Sequence, residues 1–310
     1  MIAFGLSVAE GDSYRSYSEP GIRLAKEPDS EVFIFAAVGP PARVYNLLLD
    51  TAAGHEDLEA FAIVHPHAEI TDDDFCTKIR RALSDPDVAV VGAIGATAVR
   101  SIAWWQGEIN SGNVKHAYMK FGGGEVPAFP WKEHTPPPQE VDCVDGFLMV
   151  LSPWAVHNLR FDESLALGHG YDLDYCLQAR AAGRKVVTAD LGLVMHRELE
   201  LFEDEVVWTE AHIDLAEKWQ GRMPGDEPGH EDPTEEEWKR RARRAEAERE
   251  AAQAIAYSNG LRADAVIGPL EREFARTTET LSWRITEPLR RINHWRRERM
   301  SANGAGPSDR

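Results

Sequence analysis

Four short apolar runs recur through the first hundred residues: "IAFGLSV" (Ile2–Val8), "EVFIFAAV" (Glu31–Val38), "FAIVH" (Phe61–His65) and "VAVVGAIG" (Val88–Gly95). They are rich in β-forming residues and lack strict alternation, which predicts strands buried on both faces of a parallel sheet. The segments between them carry helical spacing. "ARVYNLLLDTAAG" puts Val44, Leu47, Leu48 and Thr51 on one face and ends at Gly54, a predicted C-cap. "TDDDFCTKIRRALSD" opens on Thr71 and Asp72, a predicted N-cap, with further acids in its first turn. Strand–helix alternation predicts an α/β fold with a doubly wound, mostly parallel sheet flanked by helices. Ligands of such sheets bind at the carboxyl ends of the strands.

The pattern loosens over residues 101–140, which hold Trp104, Trp105, Gly122–Gly124 and Pro136–Pro138 and read as a long, partly irregular excursion over a site. "VDGFLMVLS" returns to strand character. "SPWAVHNL" reads as a short helix with Ser152 capping and Pro153 at its first position. "YDLDYCLQARAAG" is helical and closed by Gly183, and "KVVTADLGLVMH" is a strand system ending at His196. The expected division is a catalytic-type domain over 1–222, a Pro/Gly-rich linker over 223–233, a charged, basic helical extension over 234–300 and a disordered tail over 301–310. Thr234 and Glu237 read as a capping box for the extension.

Charge changes the picture at the same boundary. The net charge is −18, but residues 1–238 carry 18 basic and 42 acidic side chains, whereas 239–310 carry 16 and 10. An acidic body argues against nucleic-acid partners. The basic stretch, with Trp283, Ile285, Leu289 and Trp295 among its arginines, suits contact with an anionic membrane surface, self-association, or packing on the acidic body. No apolar run is long enough to cross a bilayer, and the start lacks a secretory pattern. Cys76, Cys143 and Cys176 read as reduced thiols, so a cytoplasmic protein is expected, with contact at the inner face of the membrane through its tail.

Chemistry concentrates at three places on one predicted sheet edge. The apolar run at 61–65 stops at His65-Pro66-His67, Asp172 and Asp174 enter a helix, and His196 ends the last strand. In an extended segment His65 and His67 face the same side, where they could meet one ion or one diphosphate. Asp172 near a helix start could accept a proton. Each also has a plainer reading: a strand-end histidine as a hydrogen-bonded loop residue, the aspartates as a helix cap with a first-turn acid, and the two tryptophans as core.

The order and wording of these segments resemble nucleotide-sugar glycosyltransferases of family 2, which have the GT-A fold. The resemblance rests on "VYNLLL", "IVHPHAEI", "VDGFLMVLS", "RFDE", "GHGYDLDYCLQARAAGRKV" and "VMH", and covers about residues 1–220. It implies transfer of a sugar from a nucleoside diphosphate sugar to a glycan, lipid-linked or protein acceptor, with inversion. It implies Asp172, or its neighbour Asp174, as general base and Ser7, Glu10, Tyr45, Asn46, His65 and Asp145 around the donor. Trp104, Trp105 and His169 are expected toward the acceptor. A divalent metal, Mn²⁺ or Mg²⁺, is implied at His67 and His196, offsetting charge on the leaving diphosphate. The family's strand-end aspartate is absent here, so Glu69 could supply the oxygen, or the ion could be dispensable. That departure leaves a second reading, a catalytically impaired nucleotide-sugar-binding scaffold. A nucleotidyltransferase would need a Gly-rich amino-terminal loop that is missing. The segment "SWRITEPLR" resembles tails of glycosyltransferases of bacterial cell-surface polysaccharide assembly.

Overall fold

A computed structural model describes residues 1–9, 13–118, 129–130, 135–165, 168–197, 205–226 and 236–279. Glu10, Gly122–Gly124, Thr234 and the segment 282–290 lie outside them. In chain order the elements are β1 (Ile2–Val8), α1 (Glu19–Ala25), β2 (Val32–Ala36), α2 (Pro41–Ala53), β3 (Ala60–Val64), β4 (Ala68–Ile70), α3 (Phe75–Ala82), β5 (Val88–Gly92), β6 (Ile94–Thr97), β7 (Ile109–Gly112) and β8 (Val114–Tyr118). There follow β9 (Phe129–Pro130), β10 (Glu140–Val141), β11 (Cys143–Val144), β12 (Leu148–Leu151), α4 (Pro153–Asn158), α5 (Tyr171–Ala181), β13 (Lys185–Thr188), β14 (Leu193–Arg197), α6 (Glu205–Lys218) and α7 (Glu236–Glu279).

The main sheet has the order β10-β13-β5-β12-β3-β1-β2. Strands β1, β2, β3, β5 and β13 share one direction, and β12 and β10 oppose them. This is the expected α/β sheet, mostly parallel and covered by helices. Its centre is dry: every residue of β3, β5 and β12 is buried, as continuous apolar runs require. The run at 31–38 departs from its expectation. β2 is an edge strand, so Ile34 is 47 % exposed. The excursion at 101–140 contributes strands to two small sheets, β11-β6-β7 and β4-β14-β8-β9.

Helix ends also differ in detail. α2 buries Val44, Tyr45, Leu48, Leu49 and Ala52, while Leu47 is 48 % exposed. The true stripe is rotated toward Tyr45, Leu49 and Ala52, which face the body in place of Leu47 and Thr51. Gly54 ends it in a right-handed conformation, without the left-handed turn a glycine cap implies. α3 starts at Phe75, not near Thr71. Asp72 accepts from the Asp74 N–H in a local turn and pairs with Lys78, and Thr71 Oγ1 donates to the Gly192 carbonyl. The Ser152 cap on α4 is as expected, its side chain accepting from the Ala155 N–H.

The chain forms two compact units, Met1–Ser258 and Asn259–Arg310. Within the first, the start of α7 lies on α6. Arg240, Arg243 and Arg244 pair with Glu210 and Glu217, and Ala247, Ala251 and Ala254 are buried. The exposed pairs contribute little each, so the alanine face carries the contact. No helix among the described residues is long and apolar enough to cross a membrane.

One close approach fixes the entrance to the sheet edge. A Cβ on Gly21 of α1 would lie 2.5 Å from the Ile70 backbone nitrogen in β4. Intrinsic helix propensity favours Gly21→Ala by up to about 1 kcal/mol. Overpacking against backbone opposes it by about 1–3 kcal/mol. We expect net destabilisation in urea unfolding; a stabilised variant would show that α1 does not seat tightly on β4.

Candidate active site

Where the β3 ladder ends, its backbone groups need new partners. Residues 65–68 form a tight turn, with the Ala68 N–H donating to the His65 carbonyl at 2.8 Å. Pro66 occupies the second position of that turn, where its fixed φ is favourable. The expected extended alternation of His65 and His67 is therefore replaced by a corner. The His67 N–H donates to Nδ1 of His65 at 3.2 Å, and the two rings stand perpendicular with centroids 5.4 Å apart. As an acceptor Nδ1 is unprotonated, so neutral His65 carries its proton on Nε2. Ser18 Oγ donates to the Pro66 carbonyl and holds the turn from α1's side.

His196 reaches this corner through strand register. β14 pairs antiparallel with β4, Met195 opposite Ala68 and Val194 opposite Glu69. The next step puts His196 opposite His67, and its N–H donates to the His67 carbonyl at 2.9 Å. Alternation then puts Glu69 diagonal to His196 on one face, and Nε2 of His196 lies 2.6 Å from Glu69 Oε2. Tyr17 stacks on the His196 ring at 3.8 Å and stands edge-on to His67 at 6.4 Å.

The Asp-Gly loop joins from the other side. The His65 N–H donates to the Phe147 carbonyl, and the Phe147 N–H to Asp145 Oδ1 at 2.9 Å. Asp145 Oδ2 accepts from Trp104 Nε1 at 3.0 Å. The Gly146 N–H donates to Asp172 Oδ2 at 2.9 Å, and Leu173 N–H to Asp172 Oδ1. A run of hydrogen bonds thus joins His196, His67, His65, the Asp145 loop and Asp172 at one end of the sheet. A Cβ on Gly146 would meet the Tyr171 hydroxyl, so any larger residue there would have to displace that ring.

Asp172 is not the cap of α5. Gly170, at φ +75, occupies that position, and Asp172 lies in the first turn. Burial raises its pKa and prevails over the backbone N–H groups of Leu173, Gly146 and Asp172 itself, which favour the charged form. Tyr45 and Tyr171 beside it are pushed up as well, chiefly by burial. Asp174 faces the other way. It is wholly buried and accepts from Trp219 Nε1 at 2.7 Å and Gln178 Nε2 at 2.8 Å, with Lys218 Nζ at 2.7 Å.

The remaining expected residues divide the same way. Ser7 lies near the carboxyl end of β1. Trp104 is buried and donates to Asp145, with Trp105 edge-on at 6.1 Å and partly exposed. His169, partly exposed, precedes α5. Tyr45 is buried against Phe161 and Tyr171. Asn46 bonds the Phe161 backbone in both directions and reaches Glu163. An open cleft of about 470 Å³ is lined by Asn46, Asp162, Gln178, Lys218 and Trp219 among others. It lies on the Asp174 side of α5 and is not lined by Asp145, Asp172 or the histidines. Tyr17 escaped the sequence reading because it follows no motif, and Gly146's steric role needs Tyr171's position.

Among the described residues no three His, Cys, Asp or Glu side chains form a group able to hold a metal ion. The corner does offer one carboxylate, Glu69, beside the imidazole of His196. By donor type, a mixed oxygen–nitrogen pair is closer to what Mn²⁺ takes than to what Mg²⁺ takes.

Residues 21–212 match the family described as "Glycosyltransferase like family". The streptomycin biosynthesis protein StrF of Streptomyces griseus is 27% identical over 198 residues, 63% of this chain and 66% of StrF. The chain thus spans just under two thirds of that relative's length. Among solved structures, the mannosyltransferase PcManGT from Pyrobaculum calidifontis, in complex with GDP-Man and Mn2+, aligns with TM-score 0.45 and 12% identity over 92% of this chain and 81% of its own. GalNAc-T7 with UDP, GalNAc and Mn2+ aligns with TM-score 0.48 and 9% identity over 72% of this chain and 48% of its own.

The two aspartates should separate in stability measurements. Removing Asp174 strands the buried Trp219 indole N–H and takes one of two carboxylates from Lys218, so Asp174→Ala should cost about 2–3 kcal/mol in urea. Asp172 binds its proton more tightly when folded, so its charge destabilises the fold above its pKa. Asp172→Asn should then cost no more than about 1 kcal/mol at neutral pH. The reverse ranking would contradict the placement of these side chains.

Proposed function

The chain belongs to the glycosyltransferase-like family, and from that premise we propose that it moves a sugar from a nucleoside diphosphate sugar to an acceptor hydroxyl, with inversion. The observation that carries this reading is the Asp172 carboxylate, made more basic by burial and tied through Gly146 to the Asp145 loop and the histidine corner. The acceptor oxygen attacks the anomeric carbon on the face opposite the diphosphate. The new glycosidic bond forms as the bond to the diphosphate breaks, its electron pair leaving with the phosphate oxygen. The acceptor's proton passes to Asp172.

Asp145 shapes the sugar side by fixing Trp104 and the Phe147 N–H. His65 and His67 meet the diphosphate, with Ser7 and the segment containing Glu10 toward the nucleoside. Trp105 and His169 lie toward the acceptor, which is a glycan, a lipid-linked glycan or a protein side chain. Tyr45 and Asn46 act from behind, packing α5 and the Phe161 loop in place. A divalent ion held by His196 with Glu69, and by His67, would lower the charge on the leaving diphosphate. The basic end of the chain is read as a contact for a membrane surface or a second copy.

Asp172→Asn should lower kcat by about a hundredfold or more while leaving the thermal shift produced by nucleoside diphosphate unchanged. Wild-type kcat/KM should fall on acidification through a value above the ordinary aspartate 3.8. Normal turnover by the variant would remove Asp172 as base. Donor binding by wild type with no transfer to any acceptor would favour a sugar-binding scaffold.

A further inference from the structure

The face that α7 turns to the body within Met1–Ser258 is built from small residues: Ala247, Ala251, Ala254 and Ser258 are buried. One member breaks the pattern. Glu250 is only 4 % exposed and stands in the middle of this face. A buried carboxylate is costly unless it is paired, and alanine would be the better helix former there. Stability alone therefore does not explain a glutamate at this position.

Its partners indicate what it does. Ser101 Oγ, itself 5 % exposed, donates to Glu250 Oε2 at 2.8 Å, and His212 Nδ1 of α6 lies 3.2 Å from the same oxygen. Ser101 Oγ in turn accepts from the Ala103 N–H at 3.2 Å. Ala103 immediately precedes Trp104, whose indole N–H holds Asp145. One turn further along the helix, Gln253 accepts from Gln106 Nε2 at 3.2 Å. Both ends of the Ser101–Gln106 segment are thus tied to α7.

The segment needs tying. It follows Ala98, whose φ of +54 is in the left-handed region that a residue with a Cβ adopts at a cost. Ile102 packs against Gly170, the residue that starts α5, where a Cβ would lie 2.9 Å from the isoleucine. The segment thus touches the Asp145 loop through Trp104 and the start of Asp172's helix through Ile102.

We propose that Glu250 is a positioning residue for the transfer site: its carboxylate fixes the Ser101–Gln106 segment and, through Trp104, the Asp145 loop. The first turns of α7 are then part of the catalytic apparatus and not an appendage to it. This rests on the transferase reading above. Misplacement of a substrate-shaping loop lowers the rate of the chemical step more than it weakens ground-state binding.

The test compares Glu250→Ala, Glu250→Gln, Ser101→Ala and Glu210→Ala in the full chain. Glu250→Ala and Ser101→Ala should each lower kcat about tenfold or more with donor KM changed less than about twofold. Glu250→Gln keeps an acceptor for Ser101 and should retain most of kcat. Glu210→Ala removes the exposed contacts with Arg244 and Arg240, which touch neither Ser101 nor Glu250, and should match wild type. Hydrogen exchange over residues 98–107 should speed up in the first two variants alone. Folded Glu250→Ala with wild-type kcat and exchange would overturn the proposal. If Glu250→Ala does not fold, Ser101→Ala decides by the same two readings. Absence of any transfer by wild type would sink the transferase reading, and exchange in 98–107 would still decide whether Glu250 holds the segment.

Discussion

The site depends on how backbone groups are satisfied where the central ladder runs out. Beyond Val64 and before Leu148 the strands no longer pair, and a buried N–H left alone would cost about 1–3 kcal/mol. Those groups are met by each other and by the side chains that carry the chemistry. The Phe147 N–H goes to Asp145, the Gly146 N–H to Asp172 and the His67 N–H to His65. Requirements of folding and of the site are met by the same bonds, so the groups are held before any ligand arrives. A preorganised arrangement of this kind does not have to be assembled during the reaction.

Two aspartates two residues apart on α5 illustrate how environment divides labour. Asp174 is surrounded by donors and fastens α5 to Lys218 at the end of α6 and to Trp219 just beyond it. Among the described residues Asp172 accepts from backbone N–H groups, with tyrosines around it, and burial leaves it more basic than an ordinary aspartate. The first is a structural anchor. The second retains the proton affinity that a base requires.

Much of this could be read from the chain. The dry strands announced themselves as unbroken apolar runs, and the Asp145, Asp172 and His196 segments carried the family resemblance. What was hidden depends on separation in sequence. Glu69 and His196 meet across 127 positions because β4 and β14 share a register, which no local pattern encodes. Asp172 and Asp174 look alike until α6 is known to cover one of them. Packing of the charged extension on the acidic body was one of the readings that charge left open, but the contact residues on α7 were not legible, because its buried face is alanine, which supplies little hydrophobic signal while permitting close approach. The edge position of β2 was likewise invisible, since an apolar run looks the same at an edge as at the centre.

A crystal structure with a bound nucleoside diphosphate and Mn²⁺ tests the account most directly, because the open cleft beside Asp174 is lined by neither Asp172 nor the histidines. The account predicts the diphosphate at the His65–His67 turn, the metal's anomalous signal beside Glu69 and His196, and the Asp172 carboxylate facing the space beyond the terminal phosphate. A nucleotide seated instead in the cleft between Asn46, Lys218 and Trp219 would contradict it.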